Sequence, residues 1–90
     1  MNEELLLKAV KTDLGISTDA YDDRLRSRLQ EARQRIAAEG ATLGDTEGDR
    51  NLVVMYAAWL WRYRNSSEPM PRMLRYALNN LILGQKASGA

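Results

Sequence analysis

The chain has 90 residues, which suits one small domain, and its 13 basic and 12 acidic residues leave a formal charge of +1. It contains neither cysteine nor histidine, which excludes a disulfide framework, a thiolate nucleophile and the commonest general base. The small net charge is unusual for a protein that binds nucleic acid regardless of sequence. Ten of the 13 basic residues are arginine, which suits interfaces, although a codon preference would give the same bias.

The first predicted helix spans about residues 3–14. Glu3 and Glu4 suit its positive N-terminal end, and Gly15 is a natural C-terminal cap. One side of this segment is apolar at helical spacing and contains Leu5, Leu6, Ala9 and Val10. We therefore expect an amphipathic helix that buries this side.

The second predicted helix is long and amphipathic and spans about residues 18–39, with Ser17 or Thr18 as its cap. One narrow apolar stripe follows it, formed by Tyr21, Leu25, Leu29, Ala32 and Ile36. Arginines flank the stripe on both edges, with Arg24, Arg28 and Arg35 on one edge and Arg26 and Arg33 on the other. Acidic residues are interspersed, so local ion pairs on a solvated face account for these arginines without any partner.

The third predicted helix spans about residues 46–64, with Asp45 or Thr46 as its cap. Its sequence LVVMYAAWLW, residues 52–61, carries no charge. Apolar side chains point in every direction around such a helix, which therefore has no evident solvent face. The run is far shorter than the roughly 20 residues that span a bilayer, so we predict a soluble protein without a membrane partner.

A fourth helix is predicted over residues 71–83, with Pro71 in its first turn and Gly84 as its cap. Its apolar side is expected to comprise Met70, Met73, Leu74, Ala77, Leu78 and Leu81. Residues 85–90 are small and polar and are predicted to form a mobile tail or a docking arm. The fold class that follows is all-α: a small four-helix domain over residues 1–84, with one long amphipathic helix and a central, nearly all-apolar third helix.

A catalytic role is not expected from this composition. The chain has no glycine-rich phosphate motif, and its serines have no partner base. Two acidic clusters lie at predicted helix starts, one of Asp19, Asp22 and Asp23 and one of Asp45, Glu47 and Asp49. Helix capping and the helix dipole explain both clusters without a metal. We therefore predict no catalytic residue, no cofactor and no metal.

The third helix needs more apolar cover than so small a domain provides. Trp59 and Trp61 point about 160° apart around it, so three neighbouring helices can hardly hide both. Tryptophan and arginine are enriched at protein interfaces. We therefore predict a subunit or partner interface formed by Trp59, Trp61, Arg62, Arg64, Arg72 and Arg75.

Several stretches together resemble one known family. In chain order they are DLGIS after the first helix, the DAYDDRL start of the second, a D-x-x-G loop, LVVMYAAWLWRYR and MPRMLRYALNNLI. From about Leu5 to Leu83 the chain resembles the small α-helical head–tail connector proteins, also called head-completion or adaptor proteins, of tailed bacteriophages and prophages. The most specific part is the apolar helix that ends in Tyr63–Arg64, followed by Met70–Pro71 and residues 74–80.

The resemblance implies a structural protein that assembles as a ring, typically twelve-fold, beneath the portal protein. Such a ring extends the DNA channel and joins the capsid to the next connector or tail component. The protein would then occur at the virion head–tail junction, and in the bacterial cytoplasm during assembly or as a prophage product. Each subunit of such a ring buries two different surfaces. The five arginines of the second helix would contact a neighbouring subunit or the passing DNA, which is held only non-specifically.

Two other interpretations of the sequence stay open. A small helical DNA-binding or regulatory module would use the arginines of the second helix, or Arg72 and Arg75, to contact phosphates. A subunit of an unrelated intracellular helical complex fits the composition equally well.

Overall fold

The computed structural model describes residues 1–63 and 69–89, and for residues 87–89 only the backbone. Within these ranges the chain forms four helices and no strand, namely α1 (Glu3–Leu14), α2 (Asp22–Ala38), α3 (Glu47–Arg62) and α4 (Arg72–Gly89). The prediction of a small all-α domain with four helices is confirmed. The third helix is central, because α3 packs against each of the other three helices.

One apolar core joins the four helices. Its buried members are Leu6, Leu7, Val10, Leu25, Leu29, Ala32, Ile36, Ala41, Leu52, Val53, Tyr56, Ala57, Ala58, Leu74 and Leu78. The α2 members recur at the predicted stripe positions, so the stripe is confirmed apart from Tyr21, which is 40% exposed. Removing these side chains from water supplies the main driving force for folding.

Side-chain and glycine caps define the helix ends that the sequence predicts best. The Asn2 carboxamide oxygen accepts backbone hydrogen bonds at the start of α1, and Gly15 ends α1 with a left-handed φ of 71°. The Thr46 hydroxyl accepts the Asp49 N–H at 3.1 Å and caps α3. The Asp49 carboxylate in turn accepts the Gly44 N–H at 2.8 Å, which ties the preceding loop to the first turn of α3.

The buried side of α1 differs from the predicted one. Leu6, Leu7 and Val10 are buried, whereas Leu5 is 59% exposed and Ala9 is also exposed. Three consecutive leucines allow two different apolar sides with helical spacing, and the sequence of α1 alone does not choose between them. Packing of α1 on α2 and α3 selects the side that contains Leu7.

The start of α2 lies later than predicted. Thr18 does not cap the helix, because its hydroxyl accepts the Ala20 N–H at 3.2 Å within a turn, and the Asp22 N–H bonds to the Asp19 carbonyl at 3.2 Å. Lys11 of α1 contacts the carboxylates of Asp19 at 3.0 Å and Asp22 at 2.8 Å. Hydrogen bonds to Asp22 and Asp19 raise the pKa of the Lys11 ammonium. These acidic residues therefore join the end of α1 to the start of α2.

The fourth helix is longer than predicted. It continues through Gly84 to Gly89, so the predicted end at residue 83 and the separate tail from residue 85 are wrong, while Ala90 lies outside the described residues. The Gln85 side chain donates to the Thr42 carbonyl at 2.6 Å and accepts the Thr42 N–H at 2.8 Å. This pair of hydrogen bonds fixes the extra turns against the α2–α3 loop and offsets the roughly 1 kcal/mol cost of a glycine inside a helix.

The thinness of the body decides how much of α3 is covered. The chain measures 45 × 30 × 18 Å, and because packed helices lie about 8–10 Å apart, its shortest dimension holds only about two helix layers. A narrow strip of α3 therefore remains open, on which Asn51, Met55 and Arg62 are exposed. Trp59 and Trp61 border the core and are both half-buried.

Two further properties concern the described residues only. None of the helices in residues 1–63 and 69–89 is both long enough and apolar enough to cross a bilayer. The same residues contain no group of three or more acidic side chains that could hold a metal ion. In the second acidic cluster Asp45 instead pairs with Arg50 at 3.2 Å, and Asp49 belongs to the α3 cap.

The cap of α3 predicts the effect of one substitution. Asp49 is buried and accepts the Gly44 N–H, so Asp49→Ala should lower the free energy of unfolding by about 1–2 kcal/mol. Urea unfolding followed by circular dichroism measures this change. Glu47→Ala is the matched control, because it removes the same charge from the same turn at an exposed position. Equal losses in both variants would show that dipole stabilisation, and not the loop hydrogen bond, matters here.

Candidate protein-interaction surface

An apolar groove opens between the C-terminal half of α3 and the first turn of α4. Its volume is about 270 Å³. It is lined by nine residues, namely Asp13, Met55, Ala58, Trp59, Arg62, Tyr63, Pro71, Met73 and Leu74. We call this surface the α3–α4 groove. Met55, Tyr63 and Met73 are exposed there, so the groove presents large apolar side chains to solvent.

Trp59 forms a fixed aromatic wall of the groove. Its ring meets the Tyr56 ring edge-on, with centroids 5.6 Å apart, a preferred geometry for aromatic pairs. Tyr56 is buried in the core, and this burial raises the pKa of its phenol. The indole N–H of Trp59 is enclosed and has no acceptor among the described residues. The groove thus has a rigid apolar wall anchored in the core.

The two charged residues that line the groove, Asp13 and Arg62, form an ion pair with each other. The Arg62 guanidinium lies 3.8 Å from the Asp13 carboxylate and donates to the Asp13 carbonyl at 3.4 Å. Both side chains are about half exposed, so this pair contributes little to stability. Its main consequence is that the end of α1 and the end of α3 meet at the groove.

The two predicted interface tryptophans occupy different surroundings. Trp59 lines the groove, as a residue of a partner interface would, whereas Trp61 is absent from its lining. The Trp61 ring meets the Tyr21 ring edge-on at 5.6 Å and packs against the core. Trp61 is therefore largely covered by its own chain, and its surroundings do not link it to the groove.

The predicted interface arginines are also spread over more than one surface. Arg62 lies at the groove, and Arg72 is exposed at the start of α4, next in sequence to the groove residue Pro71. Arg75 instead donates to the Glu39 carboxylate of the α2 C-cap at 2.8 Å. Arg64 lies outside the described residues.

Most of the α2 arginines have carboxylate partners within the chain. Arg26 pairs with Glu4 of α1 at 3.1 Å, and this hydrogen bond raises the pKa of its guanidinium. Arg28 and Arg35 both pair with Glu31, at 3.2 Å and 3.7 Å. Local pairing thus neutralises much of the positive charge on this helix.

The remaining α2 arginines, Arg24 and Arg33, do not belong to the groove. Arg24 is exposed, and Arg33 is half-buried and lines an open cleft of about 740 Å³ together with Glu3 and Gln30. The structure therefore does not gather the five predicted arginines into one basic site.

The predicted interface residues do not include the three exposed apolar members of the groove, Met55, Tyr63 and Met73. The sequence predicts that Met73 faces the core, but it is 73% exposed. Met73 and Leu74 are adjacent on α4, so their side chains point about 100° apart, and only Leu74 is buried. Adjacency alone does not predict this outcome, because the adjacent residues Leu6 and Leu7 of α1 are both buried.

Trp61 and Met73 should differ in how much each side chain contributes to the free energy of unfolding. Trp61→Ala should lower the free energy of unfolding by about 2–4 kcal/mol, because it removes packing against Tyr21 and the core. Met73→Ala should change it by less than about 0.5 kcal/mol, because Met73 is exposed. Urea unfolding of both variants tests the assignment, and a large loss in Met73→Ala would place that side chain in the core.

Three comparisons with known proteins bear on the identity of this surface. The chain matches no protein-family model, no curated protein and no solved structure. The resemblance to head–tail connector proteins therefore stays a prediction from the sequence stretches quoted above, and the α3–α4 groove is described from the structure alone.

Proposed function

We propose that the protein is a structural subunit of a phage or prophage head–tail connector. It would form a ring beneath the portal protein, extend the DNA channel and join the capsid to the next connector or tail component. The observation that carries this proposal is the α3–α4 groove, in which Met55, Tyr63 and Met73 are exposed around a rigid Trp59 wall. The sequence resemblance supplies the kind of assembly.

The composition of the groove supports a role in protein contacts. Methionine, tyrosine, tryptophan and arginine are enriched at protein interfaces, and hot spots contain buried aromatic and arginine side chains. The groove combines Trp59, Tyr63 and Arg62 with two methionines. Exposed apolar side chains that are grouped in one groove favour burial against another chain.

A ring also requires a second, different surface on each subunit. Leu5 on the open side of α1 is 59% exposed and lines a separate cleft of about 510 Å³. This cleft shares no lining residue with the α3–α4 groove. The two surfaces are therefore candidates for the unlike contacts that a closed ring would repeat.

The ion pairs of α2 weigh against the DNA-binding module as the main function. A protein that neutralises several phosphates needs arginines that are free to leave their protein partners. Arg26, Arg28 and Arg35 instead have carboxylates within 3.1–3.7 Å. The same pairing fits a channel or body surface along which DNA passes without strong adhesion.

The groove predicts a selective loss of assembly. In a phage or prophage system that carries this protein, a Met55→Glu/Met73→Glu double variant should fold and yet reduce joined particles at least about tenfold. An unpaired carboxylate buried in an interface costs more than the roughly 1.4 kcal/mol that a tenfold change requires. Electron microscopy counts the joined particles, separated heads and free tails.

The control for this experiment is Gln34→Glu, which adds a carboxylate at an exposed α2 position outside the groove. It should join heads to tails normally. Normal joining by the groove double variant would overturn the assignment of the groove as a subunit or partner contact. Genes for portal, capsid and tail proteins beside its own would support the proposed role independently.

Binding of the free chain to duplex DNA separates the connector from the DNA-binding module. The connector proposal predicts weak binding at low salt, because three of the five α2 arginines already pair with carboxylates of the chain. Fluorescence anisotropy with a labelled duplex across a salt series measures this. Micromolar or tighter binding with a steep salt dependence would favour the DNA-binding module instead.

A further inference from the structure

The fourth helix has apolar residues on two opposite sides. Its inner side packs on the core through Leu74 and Leu78, which are almost fully buried. On its outer side Met73 is 73% exposed, Tyr76 56% and Leu83 63%. A surface helix normally turns charged or polar residues outward, so the outer apolar residues call for a separate explanation.

The outer residues follow the spacing of a helix–helix contact. Met73, Tyr76, Asn80 and Leu83 are separated by three, four and three residues, which is the alternation of the a and d positions in paired helices. On α4 they fall within about 80° of arc. Asn80 is exposed at an a-type position, where a polar residue selects one register at a cost in stability. We call these four residues the outer seam.

The two flanks of the outer seam differ in size and charge. One flank, at seven-residue spacing, contains Arg72, Asn79 and Lys86, all of them exposed. The other contains Ala77 and Gly84, and a Cβ placed on Gly84 would meet no atom within 4 Å. The small flank leaves room for a second helix to approach closely. The basic flank favours a second helix that carries negative charge on the side that faces it.

We propose that the outer seam docks an acidic amphipathic helix of another protein. Flanking charges set partner choice in paired helices, where opposite signs attract and like signs repel. The basic flank carries Arg72 and Lys86, and α4 contains no acidic residue, so an apolar stripe edged with glutamate or aspartate complements it. In an antiparallel pair of two α4 helices the basic flanks would face each other, which disfavours that mode of self-association.

The outer seam goes beyond the proposed connector role and does not depend on it. It is continuous with the α3–α4 groove, because Met73 belongs to both surfaces. Tyr76 and Leu83 lie outside the groove, so their substitution tests the seam separately. Loss of seam binding with normal head–tail joining, or the reverse, would therefore distinguish failure of one proposal from failure of the other.

The probe is a designed helical peptide of three heptads with leucine at its seam positions and glutamate at its flanking positions. The full chain should bind this peptide at least about tenfold more tightly than an otherwise identical peptide with lysine flanks. Anisotropy of the labelled peptides measures both affinities, and the difference should shrink as salt rises. Equal affinity for the two peptides, or no binding of either, overturns the proposal.

Variants of the chain locate the binding on the outer seam. Leu83→Glu should weaken the glutamate-flanked peptide at least about tenfold, whereas Gln34→Glu, at an exposed α2 position, should not. An Arg72→Glu/Lys86→Glu variant should prefer the lysine-flanked peptide. Circular dichroism confirms folding, and Leu83→Ala replaces Leu83→Glu if the latter unfolds. Unchanged peptide affinity in the seam variants would overturn the assignment to an acidic partner. So would sedimentation that shows concentration-dependent dimers of the chain which Leu83→Glu abolishes.

Discussion

The rest of the structure depends on covering an α3 helix that is apolar around nearly its whole circumference. Water must be excluded from Leu52, Val53, Tyr56 and Ala57 at once, and these side chains point in several directions. No single neighbour can do this, so α1, α2 and α4 each pack one apolar side against α3. The arrangement around a central helix follows from this requirement, because three amphipathic stripes have only one common surface to bury.

Complete cover is beyond a chain of 90 residues. A small domain buries a smaller share of its surface than a large one, and this one is only 18 Å thick. The residual strip of α3 opens where α4 begins, and Met55 and Met73 are exposed on its two sides. The α3–α4 groove is therefore the part of the α3 surface that the described helices leave uncovered. For the same reason an additional polypeptide chain would gain most by binding at this position.

Local signals in the sequence predict the fold well and the surface poorly. The glycine with positive φ after α1, the Thr46 cap and the α2 stripe depend on a few neighbouring residues, which a single segment contains. The buried side of α1 depends on which of two leucine registers meets α2 and α3. The continuation of α4 past Gly84 depends on Thr42, which is 43 residues from Gln85 in sequence. Such partners are set by the tertiary packing, so no local pattern reveals them.

The surroundings of the candidate site residues also depend on residues that are distant in sequence, which limits how far they can be predicted. The sequence predicts that Trp59 and Trp61 both lie at an interface, because α3 carries more apolar side chains than its neighbours can cover. In the structure Trp59 lines the α3–α4 groove, whereas Trp61 meets Tyr21 at the start of α2. The pairing of Arg26 with Glu4 and of Arg75 with Glu39 joins residues 22 and 36 positions apart. The sequence alone does not reveal these long-range partners, so it cannot distinguish a paired arginine from an unpaired one on the same helix edge.

The position of α4 links the core to the outside of the molecule. It covers α3 through Leu74 and Leu78, and two polar contacts, Arg75–Glu39 and Gln85–Thr42, hold it to the end of α2 and the following loop. A helix attached along one side has a lower local stability than one enclosed on several sides. Any ligand that binds only the docked form of α4 stabilises that form by mass action. A partner that binds the outer seam would thus stabilise the packing of α4 on α3, because the outer seam and the inner contacts belong to the same helix.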